Sequence, residues 1–133
     1  MKKFFYTTIV AMTMFAWACG AKKEAKQEDY GNPQEESTAT ESKAVEEGEA
    51  LVNASDCKTC HHKTNKIIGP AHEEVAKKYE FTEANVKLLS EKVIKGGSGV
   101  WGPVAMTPHP DLSQADAEKM VRYVLSLDGE KEK

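Results

Sequence analysis

Cysteine is scarce in this chain, with three in 133 residues. An odd and small count excludes a disulfide scaffold. No apolar run reaches the roughly 18 residues that a membrane-spanning helix needs, which excludes an integral membrane protein. Basic charge is not in excess either: 18 Lys and Arg stand against 21 Asp and Glu, a net charge of −3. A nucleic-acid binder would want a basic face, so that class is excluded too. Alternating strand patterns and internal repeats are both missing. What is present is a 40% hydrophobic composition with five prolines and nine glycines, which suits one small globular domain plus extras.

The first 18 residues read as a signal peptide. Lys2 and Lys3 precede an uncharged, mostly apolar run from Phe4 to Ala18, followed by Cys19 and Gly20. Ala16 and Ala18 fit the small-x-small rule for ordinary export cleavage. Cys19, directly after that point, resembles the lipobox of bacterial lipoproteins, although Ala16 stands where Leu is usual. The lipoprotein reading is preferred, because an unpaired terminal thiol in an oxidising compartment is a liability. The expectation is therefore an exported, periplasmic protein with Cys19 lipidated and peripherally attached to a membrane. Loss of residues 1–18 removes two lysines and no acid, leaving 16 basic and 21 acidic side chains, net −5.

Residues 19–44 read as a disordered tether. Between Gly20 and Ala44 only Tyr30 adds an apolar side chain to the alanines. Such a segment buries too little surface to offset its ordering entropy. As a coil its 25 or so residues would span roughly 25–30 Å.

The folded domain is expected over 45–130 and reads as all-α. Val45 to Asn53 forms a first short helix. Pro70 opens a second, running through Tyr79. Thr82 caps a third, in which Val86, Leu89 and Val93 recur at helical spacing and which Gly96-Gly97 ends. Ser113 caps the last, with Asp116 three residues on and an apolar stripe of Ala117, Met120, Val121, Val124 and Leu127. The Gly/Pro-rich stretch from Gly96 to Leu112 reads as a long structureless loop, a feature that is usually functional in so small a domain. A folded stretch of some 80 residues buries only about 60% of its surface and needs a further contribution to its core.

Cys57-Lys58-Thr59-Cys60-His61 supplies the chemistry. C-x-x-C-H is the attachment signature of c-type haem. Two thiols three residues apart on one helical turn face the same way and can each add to a vinyl group. The next residue then brings an imidazole under the iron. Thioether formation takes place outside the cytoplasm, in agreement with the export signal. A thioredoxin-like dithiol would expect a βαβ context, and a structural zinc site would need two more ligands at paired spacing. For the sixth iron ligand, Met106 is preferred. It follows His61 by 45 residues and lies between Pro103 and Pro108 in the loop. Met120 reads as core packing within the last helical stripe. His62 is excluded by its neighbour His61, and His72 and His109 are fallback ligands that read first as surface histidines.

Together with Asp56–His61, the runs Ile68-Gly69-Pro70-Ala71, Ile94 to Pro103 and Met106-Thr107-Pro108 make this chain resemble a class I cytochrome c, of the short bacterial monohaem type. The resemblance extends in unbroken order from Val45 to about Leu127. It implies a small cytochrome c fold of about four helices wrapped around one covalent haem c. It implies His61 and Met106 as axial ligands, the Pro70 carbonyl as acceptor for the other N–H of His61, and Trp101 as hydrogen-bond donor to a haem propionate. It also implies that Gly48 and Tyr123 mark the crossing of the first and last helices. Val52 stands where the family often has an aromatic residue. Lys92 replaces a propionate-holding Arg, whose planar fork an ammonium cannot reproduce.

With both axial positions filled by protein, one-electron exchange remains, so the chain reads as a monomeric electron carrier and not an enzyme. Its expected partners are a quinol-oxidising complex and a terminal oxidase or reductase; Lys58, Lys63, Lys66, Lys92 and Lys95 read equally as a basic ring that steers toward an acidic partner and as ordinary solvated charge. The alternatives are a haem-based sensor or peroxidase-like protein with a displaceable sixth ligand, and a haem-free thiol redox module.

Overall fold

The computed structural model describes residues 33–133. The signal peptide read at 1–18, Cys19 and the tether as far as residue 32 lie outside the described residues. In chain order the elements are α1 (Pro33–Ala54), a 3-10 turn (Asp56–Thr59), α2 (His72–Lys78), α3 (Glu83–Lys95), β1 (Gly97–Gly99), β2 (Gly102–Met106), α4 (Gln114–Leu125) and a second 3-10 turn (Ser126–Asp128). The class is all-α, as expected. Among the described residues no helix is long and apolar enough to cross a membrane.

Residues 33–44, expected as part of a disordered tether, are instead helical and continuous with the expected first helix. The boundary expected at Val45 is thus internal to α1. The physical reason lies in propensity rather than burial. Pro33 occupies the first helical position, where a missing N–H costs nothing, and the segment is rich in Glu and Ala. Glu41 also fastens the extension: its Oε1 accepts the backbone N–H of Glu132 at 2.8 Å.

The caps of α3 and α4 agree with expectation. Thr82 Oγ1 accepts from the Asn85 N–H at 3.3 Å, and Ser113 Oγ accepts from the Asp116 N–H at 3.1 Å. Helix α2 begins two residues later than expected. Pro70 precedes it, Ala71 is the cap, and Glu74 reaches back to accept the Ala71 N–H at 2.9 Å.

Two apolar clusters hold the helices together. Phe81, Val86, Val121 and Leu125 form one, flanked by Tyr79, Leu89 and Val93. Full burial of a side chain the size of Phe81 contributes about 2–3 kcal/mol. Val52, Met120 and Tyr123 form the other, against which Val45, Leu51, Cys57, Leu112, Val124 and Leu127 pack. Met120 is core, as the helical stripe implied. Leu125 and Tyr123, outside that stripe, are buried too, so α4 is covered on more than one side. Between α3 and α4 the buried Ser90 hydroxyl donates to the Lys87 carbonyl at 2.9 Å and accepts from Gln114 Nε2 at 2.7 Å.

Helices α1 and α4 cross at Gly48. A Cβ built there would run into the Lys119 carbonyl oxygen and lie 3.1 Å from the Met120 nitrogen. Glycine is therefore required by backbone-to-backbone contact. Beside the crossing, Lys119 Nζ pairs with Glu47 Oε2 at 2.7 Å.

The stretch after α3, expected to be structureless, contains an antiparallel ribbon of β1 and β2 with Gly97 opposite Met106 and Gly99 opposite Gly102. Its strand signal is missing from the sequence because three glycines carry the turn. Gly97, Gly99 and Gly102 all have positive φ, which removes the alternation of side chains.

Candidate functional site

The segment Ser55–Pro70 leaves α1 and returns to the start of α2. Within it the 3-10 turn brings Cys57 and Cys60 to the surface as free, half-buried thiols. Its backbone closes through two bonds to the Cys57 carbonyl, from the Cys60 N–H at 3.1 Å and the His61 N–H at 2.8 Å. Ser55 Oγ donates to Cys57 Sγ at 3.0 Å, and the Cys57 side chain packs against the Val52–Met120–Tyr123 cluster. The turn is thus seated directly on the α1–α4 core.

His61 is oriented on two sides. Its Nδ1 lies 2.8 Å from the carbonyl oxygen of the buried Pro70. A carbonyl only accepts, so Nδ1 carries the proton and Nε2 keeps its lone pair for a metal. Gly69 lies flat against the ring, and a Cβ there would sit 2.8 Å from Nδ1 and 2.9 Å from Nε2. His72 stacks on His61 with ring centroids 5.4 Å apart and planes at 20°. Burial pushes the His72 imidazole down to about 4, with the neighbouring His61 adding to the effect. His72 is therefore not the surface histidine expected; it is a neutral ring backing His61. His62 is exposed, and its Nδ1 accepts the Thr64 and Asn65 N–H groups at 3.2 Å each, which commits it to the turn.

Met106 is the last residue of β2 and is half-buried. The following segment returns to α3, where the His109 N–H is shared between the Val93 and Ile94 carbonyls at 3.2 and 3.1 Å. The His109 ring reaches Asp56 Oδ1 at 3.2 Å, which ties the Met106 segment to the residue before Cys57. His109 is therefore half-buried and bridging, not the surface residue expected. Pairing across 53 positions has no local signature in the sequence.

Trp101 is half-buried on the ribbon, with the Lys78 ammonium 4.6 Å above its ring centroid. That cation–π contact joins α2 to the ribbon. Lys58, Lys63, Lys66, Lys92 and Lys95 are all exposed, and Lys95 pairs with Glu91 at 2.8 Å. Among the described residues no three His, Cys, Asp or Glu side chains gather as a metal site of their own.

The cytochrome c family model matches residues 45–128. The chain belongs to the cytochrome c family. This cytochrome is 40% identical over 79 residues to cytochrome c-552 of Hydrogenobacter thermophilus, covering 59% of this chain and 80% of that protein. It is 37% identical over 83 residues to cytochrome c-551 of Stutzerimonas stutzeri, covering 62% and 79% respectively. The crystal structure of Nitrosomonas europaea cytochrome c552 superposes with a TM-score of 0.56 at 35% identity, over 59% of this chain and 96% of that one. The cytochrome carries one covalent haem c and is an electron-transfer protein, not an enzyme. Its residues suit that group. Two free thiols share one turn, and an imidazole is held with Nε2 available. Ile67, Ile68, Val100 and Val104 each leave 51–62% of their surface uncovered by protein, apolar surface available to a bound porphyrin.

Proposed function

We propose that this cytochrome is a one-electron shuttle whose haem is held through Cys57 and Cys60 and ligated by His61 on one face and Met106 on the other. The observation that carries this reading is the 2.8 Å hydrogen bond from His61 Nδ1 to the Pro70 carbonyl, which fixes the tautomer needed for Nε2 ligation. Bound haem supplies a ferric–ferrous couple. The protein supplies everything else. Gly69 and His72 restrict rotation of the His61 ring, so the ligand is in place before any electron arrives. The Met106 thioether is a soft donor that favours the ferrous state and raises the potential. With His61 and Met106 both holding the iron, dioxygen and peroxide would find no open coordination site. With haem bound, the Trp101 indole N–H would serve as donor to a propionate, and the Lys78 ammonium over its ring restrains that indole.

The lysine-bearing start, the apolar run to Ala18 and Cys19 support export to the bacterial periplasm with a lipid on Cys19, so that the protein is peripherally attached to a membrane. Its partners are a quinol-oxidising complex as donor and a terminal oxidase or reductase as acceptor, and it works as a monomer.

The test is an oxidised-minus-reduced spectrum with a potentiometric titration of the mature protein and of Met106→Ala. The wild type should show the weak far-red sulfur-to-iron band in the ferric state and refuse carbon monoxide in the ferrous state. Met106→Ala should keep its haem on a denaturing gel, lose that band, bind carbon monoxide and fall in potential. A wild type without the band would overturn Met106 ligation.

A further inference from the structure

Beyond the axial ligands themselves, something must hold the Met106 sulfur over the iron, because Met106 ends a short ribbon strand on a segment with no helix of its own. Two contacts do so. On one side the segment lies flat on Gly96 at the C-terminal end of α3. A Cβ built on Gly96 would sit 2.5 Å from the Met106 carbonyl oxygen and 3.0 Å from the Pro108 nitrogen. On the other side stands His109, whose side chain is only 22% exposed. Its backbone N–H takes up the Val93 and Ile94 carbonyls, two of the acceptors that a helix C-terminus leaves unsatisfied. Its ring Nδ1 lies 3.3 Å from the Val93 carbonyl, and Nε2 lies 3.2 Å from Asp56 Oδ1. Asp56 is the residue before Cys57, at the start of the turn that carries both thiols.

We propose that His109 is a positioning residue for the Met106 sulfur, its imidazole clasping the Met106 segment to the haem-attachment turn through Asp56. The proposal rests on Met106 being the sixth ligand. The clasp joins the two pieces of chain whose separation sets the span between haem and sulfur: the turn that anchors the porphyrin and the segment that reaches over it. Asp56 is 78% exposed, so the pair adds little to global stability. Its effect falls on local opening of the Met106 segment, a motion with a far smaller free energy than unfolding.

The test follows displacement of the sulfur by exogenous imidazole in the ferric holoprotein at neutral pH, read as loss of the far-red band. His109→Phe and Asp56→Ala should each raise the limiting displacement rate about fivefold, the size of one typical side-chain hydrogen bond. The double variant should be no faster than either alone. Asp56→Asn keeps an acceptor oxygen for Nε2 and should stay within about twofold of wild type, since a hydrogen bond to Nε2 survives the loss of the carboxylate charge. Unchanged rates in both single variants, or effects that simply multiply in the double variant, overturn the clasp. Asp56→Ala alters an exposed side chain, so the test survives even where His109→Phe folds poorly. A far-red band missing from the wild type overturns the ligand reading instead, a result distinct from a band that is present but insensitive to His109 and Asp56.

Discussion

The backbone of Gly48 touches the backbone of Lys119: a Cβ at residue 48 has no room beside the Lys119 carbonyl. The two main helices approach as closely as main chains allow, and the second apolar cluster, with Cys57 against it, is built around that contact. Gly48→Ala should therefore force α1 and α4 apart and destabilise the ferric holoprotein by about 1–3 kcal/mol, the usual range for overpacking. Denaturant unfolding of the two proteins checks this. Equal midpoints would show that the crossing accepts a methyl group.

Gly69 has the same role one layer out, against the His61 ring. Gly69→Ala should retain the haem yet tilt the imidazole, and the reduction potential should move from that of wild type. Potentiometric titration reads the shift directly. A potential identical to wild type would mean that the ring position is set by Pro70 alone.

A Cys57→Ala, Cys60→Ala protein should be largely unfolded. Cys57 packs on the Val52–Met120–Tyr123 cluster, and four large apolar side chains stay mostly uncovered by protein alone. A domain this small depends on a bound group to complete its core. Far-UV circular dichroism against temperature tests the point; a cooperative transition in the haem-free protein contradicts it.

Glu47 offers a pH-dependent contribution. The hydrogen bond and then the charge of Lys119 hold its carboxyl below the ordinary carboxylate value. Its folded-state value is depressed, so its stabilising effect is present above the ordinary carboxylate range. That effect is lost as pH falls through the lower, folded value. Glu47→Gln should be less stable than wild type at neutral pH, and the gap should close in acid. Both side chains are half-exposed, so solvent screens the pair and the effect is small. A gap that is constant from pH 7 down to about 3 would rule out the ion pair as its source.

Partner reduction should slow as salt rises if Lys58, Lys63, Lys66 and Lys92 steer docking. Raising ionic strength from about 0.01 to 0.15 M shortens the screening length from roughly 30 to 8 Å. Stopped-flow rates that stay flat over this range would remove the basic ring from the docking model. Lys95→Ala should matter least, since Glu91 already neutralises it.

Features that depend on local spacing were readable from the residues. Thr82 and Ser113 cap helices because a hydroxyl just ahead of a periodic apolar run has one favourable use. Met120 belonged to the core because its stripe repeats at 3.6 residues. The C-x-x-C-H motif and the family resemblance led to the cytochrome c family in the same way. Features that depend on distant partners were not readable. The helix over 33–44 has almost no apolar periodicity and is tied down by Glu132, 91 residues from Glu41. The ribbon has glycine where side-chain alternation would have signalled it. His72 and His109 looked like surface residues because their partners, His61 and Asp56, are brought to them only by the fold.

The early start of α1 gives the C-terminus something to hold. Residues 33–44 add about 18 Å of helix, at 1.5 Å per residue, and Glu41 in this extension accepts the Glu132 backbone N–H at 2.8 Å. The first helix and the C-terminal residues are thereby latched together, so a protein cut back to Val45 leaves the Glu132 N–H without its acceptor.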